Sequence, residues 1–191
     1  VRQADRRGAA RGHSRCPPLH LLRVETLKAA HLARRFFGSL RPGGPSAADE
    51  AWAASLLAPG EQVVWQQLSA PDRRHAVGVA RRVASSLPGA PRPVLAAALL
   101  HDAGKLDSGL GTLARVPATV VGMVYGQRRA AATLGGRVGA YLDHPARGAV
   151  RLQAAGSDPV TVAWAGEHHL PPAQWTVPRD VGTVLAAADD D

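Results

Sequence analysis

Eight segments after residue 46 carry apolar residues at helical spacing, and six of them begin on a proline: Pro71, Pro93, Pro117, Pro145, Pro159 and Pro178. Proline costs little at the first helical position, where its missing N–H would have no intrahelical partner, and it interrupts any helix that precedes it. The chain is therefore punctuated into short helices, expected at Ala47 to Leu57, Gly60 to Leu68, Pro71 to Leu87, Pro93 to Lys105, Pro117 to Leu134, Pro145 to Ala155, Pro159 to His169 and Pro178 to Asp190. No run alternates with period two for long enough to argue a sheet, although the Val-rich pieces at Val120-Val121 and Val160 to Val162 tolerate either state. The expected fold class is all-α. Hydrophobic residues make up 46% of the 191 and aromatics only 4%, so one core must be built from Ala, Val and Leu.

The charge divides the chain differently. The formal net charge is +8, and residues 1–45 hold ten basic and two acidic side chains, whereas residues 46–191 hold thirteen of each. Residues 1–18, Arg- and Gly-rich and closed by Pro17-Pro18, are expected to be a disordered basic arm. Residues 19–46 are expected to form an amphipathic basic helix and a linker: Leu21, Val24, Leu27, His31 and Leu32 recur at helical spacing from His20 to Phe37, and Arg41 to Ser46 (RPGGPS) breaks the pattern. Residues 47–191 then form an electrically balanced domain. Any nucleic-acid contact would fall to the arm, whose composition equally describes a solvated tail. Cys16 is the only cysteine, which excludes an intrachain disulfide and a Cys-rich zinc module. With no membrane-length apolar run and no signal-type h-region, a cytoplasmic protein is expected.

The chemistry concentrates in five histidines and two carboxylates of this domain. Leu95, Ala98, Leu99 and Asp102 follow the spacing i, i+3, i+4, i+7, which puts Asp102 on the stripe that faces the core. A buried carboxylate needs a cation nearby. His101 adjoins it, and Lys105, one of two lysines, lies one turn on. Asp189 follows the stripe Val181, Val184, Leu185 in the last segment and points the same way. His75, His144 and the pair His168-His169 fall at segment ends, where side chains can meet in one cavity. Together they make a candidate binuclear metal set. His13, His20 and His31 lack ligand companions, and Cys16 with His20 is half a zinc site. Gly109 to Thr112 and Gly135 to Gly139 read as flexible turns, with Gly111-Thr112 also placed to line a pocket mouth. Arg73-Arg74 and Arg81-Arg82 read as solvated helix faces, and Glu167 as either an outer partner of the site or an exposed carboxylate.

The ordered set His75, His101-Asp102-Ala-Gly-Lys105, His144-Pro-Ala-Arg-Gly148, Glu167-His168-His169, Asp189 resembles the HD superfamily of metal-dependent phosphohydrolases. The resemblance covers roughly residues 60–191 and is nearest to the HD-GYP subgroup, whose members hydrolyse cyclic dinucleotides. It implies an HD-domain-like helical bundle with ligands at facing helix ends. It implies two divalent metal ions, iron or manganese, with zinc or cobalt also suited to mixed nitrogen and oxygen ligands. Asp102 would bridge them, with His75, His101 and Asp189 completing one side and His144, His168 and His169 the other. Hydroxide formed at the metals would attack phosphorus in a small phosphorylated substrate, a nucleotide or cyclic dinucleotide, with Asp102 and Lys105 as catalytic residues and Lys105 neutralising a phosphate oxygen. Where the subgroup continues from its paired histidines to Asp-Gly-x-Gly-Tyr-Pro, this chain reads Leu170-Pro-Pro-Ala-Gln-Trp-Thr-Val-Pro178. That departure keeps open a catalytically degenerate signalling module that binds a nucleotide or a protein partner. A di-iron oxygenase is a third reading, since some HD-fold relatives are oxygenases.

Overall fold

A continuous apolar run, Val94 to Leu100, becomes the centre of the fold. In the helix Arg92–Leu100 every residue from Val94 to Leu100 is buried, the signature of a helix surrounded on all sides. The protein is described by a computed structural model covering residues 43–110, 118, 121 and 127–190. The arm, the basic amphipathic segment 20–37, Cys16, Gly111-Thr112 and Val120 lie outside the described residues, as does most of the segment before Gln127.

Numbered in chain order, the α-helices are α1 (Ala47–Leu56), α2 (Pro59–Gln67), α3 (Ala70–Ser86), α4 (Arg92–Leu100), α5 (Gln127–Leu134), α6 (Gly136–Leu142), α7 (His144–Ala154), α8 (Pro159–Glu167) and α9 (Arg179–Asp190). Two 3-10 helices, η1 (Ala103–Ser108) and η2 (Pro172–Gln174), complete the order, with no strand among the described residues. The architecture is all-α. No helix among these residues is long and apolar enough to cross a membrane. Helix starts are set by local chemistry: Ser46, Ser69 and Asp158 accept from the backbone N–H of Asp49, Asp72 and Val160 at the heads of α1, α3 and α8. Each such cap contributes about 1 kcal/mol.

Around α4 pack α3, α8, α9 and the α1–α2 pair. The core is aliphatic, from Val79 and Val83 through Leu99 and Leu100 to Leu152 and Leu185, with Trp65 and Trp164 as its large members. One end of α4 is therefore the point where several helix ends meet.

Three readings of the sequence need correction. The segment Pro93 to Lys105 is not one helix: α4 stops at Leu100, His101 and Asp102 form a turn, and η1 carries Lys105. The cause lies at Gly104, where a Cβ would stand 1.9 Å from the His144 carbonyl oxygen and 2.5 Å from the Gly148 nitrogen. The chain passes directly against α7, and the tighter 3-10 winding carries it through. Gly135 to Gly139 is not a flexible turn: only Gly135 and Gly136 have positive φ, 56° and 53°, and α6 runs on from there. The arginine pairs are not simply solvated. Arg73 bonds Glu50 and the Leu68 carbonyl, Arg81 pairs with Asp49 and lies 3.6 Å from the Trp52 ring centroid, and Arg82 donates to the Ala188 carbonyl.

Candidate metal centre

Five helices contribute to one cluster. α4 ends into His101 and Asp102, α7 begins with His144, α8 ends into His168 and His169, α9 carries Asp189 in its last turn, and α3 brings His75 in its second. Two sets of ligand atoms converge, each within 4.8 Å: His75, His101 and Asp189 in one, His144, His168 and His169 in the other. Asp102 lies between them. Its Oδ2 is 3.4 Å from His101 Nε2, while its Oδ1 is 3.4 Å from His144 Nε2 and 3.8 Å from His168 Nε2. Asp189 Oδ1 stands 3.0 Å from His75 Nε2 and 3.5 Å from His101 Nε2. All seven metal-ligand candidates read from the sequence are thus brought together, and Lys105 Nζ donates to Asp102 Oδ2.

The histidine tautomers are set by the backbone. Nδ1 of His101, His144 and His168 lies 2.9, 2.7 and 3.0 Å from the carbonyl oxygens of Ala98, Tyr141 and Ala165, in each case three residues upstream. Nδ1–H therefore donates to a carbonyl, which turns Nε2 into the cluster. This is how metal-ligating histidines are commonly oriented. Nε2 of all three is buried and has no hydrogen-bond partner. A buried polar atom left unsatisfied costs about 1–3 kcal/mol, so these three, facing Asp102 from its two sides, call for partners in the two ligand sets. Ligands held about 2.0–2.2 Å from one ion in tetrahedral directions lie about 3.4 Å apart, close to the spacings around Asp102 and Asp189. The residues fit a metal.

The electrostatics favour positive charge beside the two carboxylates. Burial pushes the Asp102 carboxyl up, but Lys105 and His101 outweigh it and hold Asp102 well below the usual carboxylate range. Burial pulls His101 down, yet Asp102 and Asp189 raise it to about 10, so without a metal a proton takes the cation's place there. No such substitute serves His168: burial, with His169, His101 and His144 nearby, holds it well below the ordinary histidine range and leaves it neutral. Burial also lowers Lys105, but Asp102, Tyr141 and Asp72 raise it overall and keep the ammonium charged.

Two features of the site are silent in the sequence. The three carbonyls that orient the histidines belong to the backbone, and only the i−3 spacing at a helix end announces them. Glu167 spends both carboxylate oxygens on Thr176, accepting from its N–H at 2.7 Å and its hydroxyl at 2.5 Å. It pins the loop after His168-His169, where Trp175 also donates to the Leu170 carbonyl. Comparison with protein-family models, curated proteins and solved structures finds no significant match to this chain.

Proposed function

We propose that the chain is an HD-type metal-dependent phosphohydrolase acting on a phosphate ester of the nucleotide or cyclic dinucleotide class. The observation that carries this reading is the set of three buried, partnerless Nε2 atoms converging around Asp102. His75, His101 and Asp189 would hold one divalent cation, His144, His168 and His169 the other, and Asp102 would touch both. Cations there would supply Lewis acidity and a water acidic enough to ionise near neutrality.

The remaining steps belong to the chain's own groups. The carbonyls of Ala98, Tyr141 and Ala165 turn Nε2 of three imidazoles into the cluster; neutral His168 has no Nε2 proton to lose before a ligand arrives, whereas His101 releases the proton it holds when a cation binds beside it. Asp102 stays ionised and offers two oxygens to two sides. Lys105, mostly buried and charged, is one residue from Gly104 and faces Asp102. An anionic phosphate oxygen beside Asp102 would take over part of its ammonium's hydrogen bonding as negative charge builds, a contribution of the type that usually amounts to a few kcal/mol. The exposed edge at His169 leaves the cluster open for a substrate.

Metal analysis of the purified full chain, then assay on a panel of phosphomonoesters, phosphodiesters and cyclic dinucleotides, tests the proposal. Turnover that disappears in His101→Ala and Asp102→Ala is the expected result. Metal-loaded protein no more active than those variants on every ester would overturn the enzymatic reading, and nucleotide binding without turnover would favour the signalling module instead.

A further inference from the structure

We infer that Arg82 is a positioning residue that holds Asp189 in place for the cation bound with His75 and His101. The inference rests on the reading of the cluster as a metal centre. Asp189 is the one candidate ligand that α9 contributes. The peptide immediately before Asp189 carries the Ala188 carbonyl. Arg82 Nε donates to this carbonyl at 2.8 Å.

His75 and Arg82 are seven residues apart on α3, two turns along one face. From that face His75 meets the Asp189 carboxylate at 3.0 Å and Arg82 meets the preceding peptide. One helix therefore grips two consecutive residues of another, one through the side chain and one through the main chain. His75 fixes where the carboxylate points. Arg82 fixes the backbone from which it hangs. Removing such an outer contact from a metal ligand typically weakens metal binding 10–100-fold.

The test compares Arg82→Met, which keeps the aliphatic stem, with Arg82→Lys, which restores a donor, in the full chain titrated with cobalt(II) alone, using Asp189→Ala as the reference for a lost ligand. In Arg82→Met one cobalt ion should bind about 10–100-fold more weakly and the other within about twofold of wild type; Arg82→Lys should recover most of the loss. Equal weakening of both ions, as general loosening would give, or of neither, overturns the inference. Amide hydrogen exchange in chelated protein supplies a readout independent of metal. Exchange at Ala188 to Asp190 should rise at least about tenfold in Arg82→Met with the α4 amides unchanged. Unchanged exchange at α9 overturns the role of Arg82 even if wild type takes up no cobalt, whereas absent cobalt binding with faster exchange overturns the metal reading and not the clamp.

Discussion

At His168 the demands of folding and of the site oppose each other. Its ring is buried, its Nδ1–H bonds the Ala165 carbonyl at 3.0 Å, and its Nε2 has no partner. In metal-free protein His168→Phe removes one unsatisfied buried atom, Nε2, and leaves another, the Ala165 carbonyl, each worth about 1–3 kcal/mol, so the two nearly offset. Urea unfolding in chelator should therefore show stability within about 1 kcal/mol of wild type, or above it, while cobalt uptake falls. A loss beyond about 2 kcal/mol in chelator would mean that Nε2 already had a partner. Asp102 behaves in the opposite way, because Lys105, its side chain only 16% exposed, depends on it. Asp102→Asn should be strongly destabilising, by about 3–5 kcal/mol, through the unpaired ammonium left behind. Adding Lys105→Met should return part of that, and a double-mutant cycle in chelator is expected to give a coupling of about 1–3 kcal/mol. Additive single effects would contradict the pair. These residues were legible in the sequence because histidine and aspartate on apolar stripes are chemically conspicuous. The atoms that orient them were not, since a backbone carbonyl is present at every position.

Among the elements, the helices were legible where proline or a polar cap starts them, as at α3, α7 and α8, and illegible where packing alone decides. The break between α4 and η1 is the clearest case: Leu95, Ala98, Leu99 and Asp102 keep helical spacing through a point where the helix has already ended. Periodicity records which face is buried and does not record a backbone crossing. Gly104 marks this crossing and Gly60 marks another, where a Cβ would lie 2.1 Å from the Ala155 carbonyl oxygen at the far end of α7. Since the atoms in the way are main chain, they cannot swing aside. Gly104→Ala and Gly60→Ala should each cost about 3 kcal/mol, whereas Gly148→Ala, with its nearest atom at 3.1 Å, should cost about 1 kcal/mol. Chemical unfolding checks the ranking. Only Gly104→Ala should also weaken cobalt binding, because η1 follows Asp102 directly and presses on the His144 carbonyl; a similar loss of binding in Gly60→Ala would show that α7 transmits strain along its length.

For the whole molecule, the balanced charge of residues 46–191 conceals an uneven distribution. Two carboxylates, an ammonium and five imidazoles gather around the C-terminal end of the buried central helix α4. Burying charged and unsatisfied groups together opposes folding, so the cluster should be the least stable part of the metal-free protein and the part that gains most from a cation. Linkage gives the size. A ligand that binds only the folded chain contributes about 2.7 kcal/mol at a hundred times its dissociation constant, and for a domain of this size about 1 kcal/mol shifts the midpoint by about 2–4 °C. Chelator should therefore lower the thermal midpoint by about 5–10 °C per ion removed at that saturation, with re-addition of manganese or cobalt restoring it. The shift should vanish in Asp102→Asn, which faces both ligand sets, and shrink without vanishing in Asp189→Ala, which belongs to one. Thermal melts with and without chelator that coincide in wild type would show that the cluster satisfies itself with protons alone.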